Sequence, residues 1–254
     1  IITKDFTWSS TFTFATNSEE ITKLKNTEKQ YINNTDKGNS LVFMKGEAIN
    51  SYYHYKLLGV WQKGEEADAA VFGCEPGDYK IDTPNLSRKA EGVYVDEDGN
   101  EYTASNKYTY DPSRDYQIIG HNSPDWSAGL QNTFTYKDFD LSVYLYARWG
   151  QMIKYDLLSS YDPSGTLNFP EYFDYWTESN PANDFPAINA NEEFKNYTGF
   201  SARPFVDGSF FKIKNITLGY TLPAKLLKKA RISKLRVYGT ITNPYVYGKS
   251  HLVK

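Results

Sequence analysis

Regular alternation of apolar and polar side chains is the dominant pattern along this 254-residue chain. The clearest run covers residues 139–149, with apolar side chains at odd positions and polar or tyrosine side chains at even positions. Similar runs occupy three further segments, 5–14, 126–136 and 234–242. Within segments 5–14 and 126–136, only Ser10 and Asn132 interrupt the apolar side. Because a period of two is that of a β-strand with one apolar face, these runs predict long strands.

A fifth strand is predicted in the stretch VDGSFFKIKNITLGYTLP, residues 206–223, where the alternation changes phase. Phe211 and Ile213 place apolar side chains at odd positions, whereas the following apolar side chains, from Ile216 to Leu222, fall at even ones. One inserted residue changes the phase of a strand, so the pattern predicts a β-bulge near Lys214 and Asn215.

Two other segments are harder to interpret. Residues 51–62 form a sixth candidate strand, which is aromatic on both faces. Residues 17–50 fall where a short turn is expected, and we expect a further hairpin there, around residues 41–44.

The length of the strands separates two fold classes. Strands of about eleven residues span roughly 36 Å, which suits a tilted strand that crosses a bilayer and exceeds the usual 5 or 6 residues of globular strands. Short connections at 137–138 and 223–233 contrast with long ones at 63–124 and 153–204, an asymmetry typical of outer-membrane barrels. The predicted fold is therefore all-β, an antiparallel transmembrane β-barrel portion with long extracellular loops. A soluble or surface-attached β-sandwich that binds carbohydrate is the alternative, since its strands also alternate.

Composition agrees with a membrane barrel and excludes other classes. Aromatic residues make up 17% of the chain and include 22 tyrosines, which are favoured in strands and at membrane–water boundaries. The net charge of −3 offers no basic surface for nucleic acid. No apolar run reaches the roughly 18 residues of a transmembrane helix. No nucleophile, base and orienting group are brought together by a motif, so we expect no enzymatic activity.

Several segments resemble, in order, the C-terminal part of SusC/RagA-type TonB-dependent outer-membrane transporters of Bacteroidota. They are MKGEAINSYYHYKLLGVWQKGEEA (44–67), PGDYKID (76–82), IIGHNSPDWSAGLQNTFTYKDFDLSVYLYARWG (118–150), DYW (174–176), NP (180–181), VDGSFFKIKNITLGYTLP (206–223) and LRVYGTITNPY (235–245). The order of the segments over nearly the whole chain carries the resemblance.

This resemblance implies a nutrient importer in the outer membrane of a Gram-negative bacterium. Such a transporter has a barrel of about 22 strands, an N-terminal plug, a TonB-contacting segment and a SusD-like lipoprotein lid. It imports oligosaccharides or peptides, driven through the TonB complex. We therefore interpret residues 1–254 as the C-terminal part of such a barrel, with about six strands and with the plug and the last strand absent. Six strands cannot close a barrel against lipid, so the barrel is incomplete in this chain.

An acidic stretch gives the one candidate metal site. Asp96, Asp98 and Asn100 are spaced like part of a calcium loop, and Ca²⁺ in an extracellular loop is the only cofactor considered. The alternative is an acidic hairpin turn, because Asp-Gly favours tight turns. The family's compact acidic segment is interrupted here by an insertion after residues 80–82. The three histidines are far apart and have no ligand partner at a suitable spacing.

Aromatic residues give the candidate substrate sites. Four lie in a polar loop, where they either stack on a substrate or pack as a local cluster: Tyr172, Phe173, Tyr175 and Trp176. Three more lie on the polar face of residues 139–149, where they line either a solute path or a hydrated wall: Tyr144, Tyr146 and Arg148. In the barrel interpretation, the predicted bulge also marks where the wall rises above the bilayer, with Phe211 and Ile213 beyond it.

Overall fold

The computed structural model describes residues 1–25, 27, 29–31, 41–160, 168–188 and 201–252. The chain divides into two units. The first, called here the long-strand unit, comprises Ile1–Ser18, Ser123–Met152 and Asp207–Lys254. The second, called the compact unit, comprises Glu19–Asn122 and Ile153–Val206.

Sixteen strands make up most of the regular structure among the described residues. They are β1 (Phe6–Thr16), β2 (Lys29–Tyr31), β3 (Leu41–Met44), β4 (Ser51–His54), β5 (Leu57–Val60), β6 (Tyr79–Ile81), β7 (Leu86–Ala90), β8 (Val93–Asp96), β9 (Glu101–Tyr102), β10 (Gln117–His121), β11 (Trp126–Tyr136), β12 (Phe139–Trp149), β13 (Met152–Lys154), β14 (Phe205–Asp207), β15 (Phe210–Thr221) and β16 (Arg236–Gly248). Short helices are α1 (Glu66–Val71), α2 (Pro112–Asp115) and α3 (Ala224–Leu227), with 3-10 turns at Asp156–Ser160 and Lys228–Ala230. The predicted all-β, antiparallel fold is confirmed.

The long-strand unit is a single antiparallel sheet with the strand order β1-β11-β12-β15-β16. Its strands have 11 to 13 residues, so the five long strands predicted from alternation are confirmed. Lys137 and Asp138 alone connect β11 to β12, and Lys137 adopts the left-handed φ of 53° that such a tight turn requires. The sheet is open, with β1 and β16 as its edges.

The register places the apolar positions of all five strands on one face of the sheet. One row near the β11–β12 turn pairs Phe6, Tyr136, Phe139, Tyr220 and Val237 in succession. Eight residues along the strands, another row pairs Phe14, Ala128, Ala147, Phe211 and Tyr247. Many of these side chains are well exposed, among them Phe12 (65%) and Ile241 (60%), so the described residues leave much of this apolar face uncovered.

The predicted bulge in β15 is confirmed and lies at Lys214. Asn215 pairs with Tyr144 of β12, while Ile213 pairs with Leu145, so Lys214 has no partner on that side. Towards β16, Ile213 pairs with Tyr245 and Asn215 with Thr242, so the edge strand also has extra residues there, including Asn243 at a φ of 48°.

The bulge keeps one side of β15 apolar along its whole length. Because Lys214 takes up the change of phase, Phe211 and Ile213 fall on the same face as Ile216 and Leu218. That the wall rises above the bilayer beyond the bulge stays a prediction. The apolar face continues past Lys214 as far as the row that contains Phe211.

The two polar exceptions on this face are neighbours in space. Ser10 of β1 pairs directly with Asn132 of β11. The Asn132 Oδ1 atom accepts a hydrogen bond of 3.0 Å from the indole Nε1 of Trp8. A polar side chain on the apolar face is thus stabilised by a partner on the same face.

The compact unit has buried cores of its own. The largest cluster is formed by Trp61, Ala69, Val71, Phe72 and Tyr108, each no more than 8% exposed. Residues 51–62 are not one long strand, as the sequence suggested. They form two short strands, β4 and β5, which belong to two different sheets. The prediction of a sixth strand over residues 51–62 is therefore wrong. The predicted hairpin around residues 41–44 is confirmed, since β3 pairs antiparallel with β2.

Buried polar groups connect the elements of this unit. The Asp68 carboxylate in α1 accepts hydrogen bonds of 2.9 Å from Arg88 of β7 and 2.8 Å from the backbone N–H of Gly92. Burial opposes ionisation of Asp68, but these two bonds outweigh it and lower the pKa of its carboxyl group. Within the described residues, none of the helices has the length and apolar character needed to cross a membrane.

Candidate functional site

The polar face of the long-strand unit brings three predicted site residues together. Tyr144, Tyr146 and Arg148 occupy alternate positions of β12, so their side chains share the face opposite the apolar one. Their partners on β11 are the small or polar residues Gln131, Gly129 and Ser127. Those on β15 are Asn215, Lys212 and Phe210.

Lys214 joins this group, although the alternation alone did not indicate it. Its Nζ atom lies 5.3 Å from the ring centre of Tyr144 and 5.8 Å from that of Tyr146, in cation–π geometry. Lys212 is placed similarly, with its Nζ atom 5.5 Å from the ring centre of Phe210. The phase change in the sequence was the available indication, because the extra residue of a bulge takes an unusual direction.

Gly129 allows the Tyr144 ring to extend sideways along the sheet. A Cβ atom on Gly129 would lie 2.7 Å from Oγ1 of Thr13 and 2.9 Å from the hydroxyl of Tyr144. Only glycine therefore fits beneath the ring. The Tyr144 hydroxyl and Oγ1 of Thr13 both lie beside Gly129, and Tyr146 packs at 6.0 Å against Phe210. Substrate contact at Tyr144, Tyr146 and Arg148 stays a prediction.

A salt bridge lies on the polar face near the β11–β12 turn. Arg236 of β16 reaches across β15 and donates from Nε and Nη2 to the two carboxylate oxygens of Asp140, with Nε 2.9 Å from Oδ1. Gly219 lies beneath this contact, and a Cβ atom there would approach the guanidinium within 2.4 Å. The missing side chain at 219 is what lets the two charged groups meet.

The four aromatic residues of the predicted loop site separate into two pairs in the compact unit. Phe173 and Trp176 are buried, at 6% and 8% exposure. Phe173 stacks on Phe185 with ring centres 3.9 Å apart, and Trp176 Nε1 donates to Gln62 Oε1 at 3.0 Å. These two hold the loop in place, as the local-cluster interpretation predicts.

Tyr172 and Tyr175 are more accessible, and Tyr175 is 42% exposed. Tyr175 borders an open, shallow apolar depression. The other side chains that line it are Phe169, Phe173, Phe185, Pro186, Ile188 and Arg203. The Arg203 guanidinium lies 3.8 Å from the ring centre of Phe185, and its burial lowers the pKa of Arg203. Substrate contact at Tyr172, Phe173, Tyr175 and Trp176 stays a prediction.

The acidic stretch forms the turn between β8 and β9. Asp96 accepts hydrogen bonds from the backbone N–H groups of Asp98 and Asn100, from Asn100 Nδ2 and from the Tyr102 hydroxyl, at 2.8 to 3.1 Å. The side-chain bond from Asn100 contributes most to a lowered pKa of Asp96. No cluster of three acidic, histidine or cysteine side chains suited to a metal occurs in the described part of the chain. Calcium binding by Asp96, Asp98 and Asn100 stays a prediction.

Two further titratable groups are buried in the compact unit. His54 stacks on Tyr116 with ring centres 4.8 Å apart and contacts Phe205, and desolvation lowers its pKa to about 4. Burial raises the pKa of the Cys74 thiol to about 12, which makes it unreactive as a nucleophile. Neither group lies among the predicted site residues.

Taken together, the long antiparallel strands and the single uncovered apolar face define a portion of an open-edged β-barrel wall. No family model matches the chain. Among curated proteins, the chain is 29% identical to TonB-dependent receptor P3 of Formosa agariphila over 247 residues, 94% of this chain and 22% of that receptor. It is 27% identical to the TonB-dependent receptor SusC of Bacteroides thetaiotaomicron over 259 residues, 98% of this chain and 22% of SusC.

The fold is also that of a solved transporter. Superposition on the RagAB peptide transporter gives a TM-score of 0.68 at 22% identity, over 98% of this chain and 24% of that one. The chain is homologous over nearly its whole length to SusC/RagA-type TonB-dependent transporters, so the resemblance found in the sequence is confirmed. It spans about a fifth to a quarter of the length of the proteins it matches.

Proposed function

We propose that this chain is part of an importer in the outer membrane of a Gram-negative bacterium, which takes up oligosaccharides or peptides. In this proposal the importer works with a SusD-like lipoprotein, draws energy through the TonB complex and catalyses no reaction. The homologous TonB-dependent receptors support the importer class. RagAB is a peptide transporter, which supports the peptide alternative for the cargo.

The apolar face of the long-strand unit is the observation that carries the proposal. From Phe139 to Trp149 the face extends ten residues, roughly 33 Å along the strand, or about 25 Å in height at the usual barrel tilt. Aromatic rings concentrate at both of its ends. Phe139 packs on Tyr220 at 4.6 Å at one end, and Trp126 stacks on Trp149 at 6.1 Å at the other. An apolar band of this height between two aromatic girdles is what a bilayer requires.

The exposure of this face also argues against the soluble alternative. A β-sandwich buries its apolar face against a second sheet. Here Leu218 is 55% exposed and Val237 is 60% exposed. These side chains lack the cover that a soluble protein would provide.

Two substitutions at adjacent positions test the placement in the membrane. Val143 lies on the apolar face of β12 and Ser142 on the polar face. In the full-length protein, Val143→Arg should impair insertion into the outer membrane, because an arginine facing lipid near the midplane costs about 2–4 kcal/mol. Ser142→Arg should be tolerated. The amount of folded, heat-modifiable protein in isolated outer membranes is measured for both variants. Equal losses would argue against lipid on the apolar face, which carries Val143.

A second experiment tests transport itself. Cells that depend on the full-length protein for growth on a defined oligosaccharide or peptide should lose that growth when the protein, its neighbouring lipoprotein or TonB is removed. Growth on the corresponding monomer should persist. Unchanged growth after removal of TonB would contradict the proposed energy source.

A further inference from the structure

Charge on the long-strand unit is unevenly distributed along its polar face. The five strands, whose residues are all described, contain one acidic residue and four basic ones. Asp140 and Arg236 neutralise each other in their salt bridge. Three cations remain on the other half of the face: Arg148, Lys212 and Lys214.

These three cations are neighbours on the sheet. Lys212 pairs directly with Tyr146, and Arg148 pairs with Phe210, two residues further along both strands. The bulge places the Lys214 ammonium above the rings of Tyr144 and Tyr146. Like charges this close repel one another and destabilise a sheet unless another group compensates.

The described residues supply no anion for this cluster. None of the three cations has a carboxylate within salt-bridge distance in the described part of the chain. Asp207, which precedes β15, is already bound by Lys249 at 2.6 Å. The contacts of Lys212 and Lys214 are to aromatic rings, which leaves their N–H donors available to an incoming oxygen anion.

We propose that Arg148, Lys212 and Lys214 bind an anionic group of the imported cargo, with Tyr146 and Phe210 as an aromatic surface beside it. The inference rests on the proposed function and specifies its substrate as negatively charged. A carboxylate fits the arrangement, since arginine can donate two hydrogen bonds to its two oxygens and lysine adds a point charge. The carboxylate belongs either to a uronic acid of an oligosaccharide or to an acidic peptide.

Paired probes distinguish charge from the rest of the cargo. Full-length protein in detergent is titrated with a glucuronate-containing oligosaccharide and its neutral glucose counterpart of equal length. It is also titrated with one peptide as the free acid and as the C-terminal amide. Four proteins are compared: the unaltered protein, Arg148→Gln, the double variant Lys212→Gln with Lys214→Gln, and the control Lys234→Gln. The control removes the same charge from a residue outside the strands.

The unaltered protein should bind the charged member of one pair more tightly, and which pair responds identifies the source of the carboxylate. Arg148→Gln and the double lysine variant should each reduce that preference by at least about tenfold, which is the effect of losing a single charge-assisted contact. Lys234→Gln should keep it. The inference would be overturned by equal binding within both probe pairs, by no binding of any probe, or by a preference that is unchanged in Arg148→Gln and in the double lysine variant. Variants that lose thermal stability without losing preference would instead assign the cluster to contacts within the protein.

Failure here is distinguishable from failure of the proposed function. A protein that inserts into the outer membrane and supports TonB-dependent growth, but takes up neutral and charged cargo alike, remains an importer without an anion site. A protein that neither inserts nor supports growth fails both proposals.

Discussion

The two units of this chain use aromatic and apolar residues in opposite ways. In the long-strand unit, large side chains such as Phe12 and Ile241 stand exposed on one face of a sheet. In the compact unit, Trp61 and Tyr79 are almost fully buried, at 2% and 1% exposure. The same residue types thus lie on an exposed surface in one unit and form an internal core in the other. Exposure, rather than composition, tells the two roles apart.

The largest expected difference comes from removing one large aromatic side chain in each unit. Trp61 stacks on Phe72 at 5.8 Å inside the largest core cluster. In the full-length protein, Trp61→Ala should lower the free energy of unfolding of the compact unit by about 3–5 kcal/mol, because it leaves a cavity. Phe12→Ala should have a much smaller effect in detergent, since this side chain has few protein contacts to lose. Urea titrations followed by circular dichroism compare the two, and similar losses would refute the comparison.

Lowering the pH should destabilise the compact unit through its buried histidine, His54. His54 is protonated in the unfolded chain below pH 6.5, but in the folded compact unit only below about pH 4. The unfolded state therefore binds more protons between these values, and stability falls as the pH drops from 6.5 to 4, by up to roughly 3 kcal/mol. Limited proteolysis at pH 7 and pH 4.5 should show faster cleavage of the compact unit at the lower pH. His54→Gln should weaken this dependence; an identical pH response in the variant would exclude His54 as its source.

Two glycines test how far close packing matters in the long-strand unit. Gly219→Ala places a methyl group where Arg236 crosses to Asp140, whereas a Cβ atom on Gly239 meets nothing within 4 Å. Gly219→Ala should therefore cost about 1 kcal/mol more than Gly239→Ala, because it disrupts a two-pronged salt bridge that is partly exposed. The difference in melting temperature between the two variants in detergent is the measurement. If Gly239→Ala is the more damaging, the salt bridge does not depend on Gly219.

The smallest effect concerns the polar pair on the apolar face. Asn132→Leu removes the acceptor of the Trp8 indole N–H and should change stability by about 1 kcal/mol or less, because a lost hydrogen bond and a gain of apolar contact oppose each other. Ser10→Ala leaves the Trp8 bond intact and serves as the control. A blue shift of tryptophan emission in lipid vesicles with Asn132→Leu alone would identify this contact. The same shift in both variants would show that the indole senses only the general polarity of the face.

The sequence predicted the two units unequally, for a physical reason. Strands with one apolar and one polar face carry a period of two, so β11 and β12 were found with their observed bounds. Strand β4 of the compact unit is buried along its whole length, so the sequence of residues 51–54 shows no alternation. Its last residue, His54, packs against Tyr116 and Phe205, which are remote in the chain and which no local pattern reveals.

The candidate sites were predictable to the same extent as the strands that carry them. Alternation correctly assigns Tyr144, Tyr146 and Arg148 to one face of β12, while their role in binding stays a prediction. The burial of Trp176 depends on Gln62, more than a hundred residues earlier, and no local pattern reveals such a contact. The aromatic loop therefore looked more accessible in the sequence than it is in the structure.

The bulge at Lys214 changes how β15 is to be compared with other strands. On either side of it, odd and even positions exchange their meaning: Ile213 and Ile216 share one face although one number is odd and the other even. If β15 is aligned without a gap to a strand that lacks this extra residue, side chains of the polar face are matched with side chains of the apolar face over about half of the strand. Insertions and deletions of a single residue in such strands act as a change of reading frame, and a comparison based on substitutions alone will miss them.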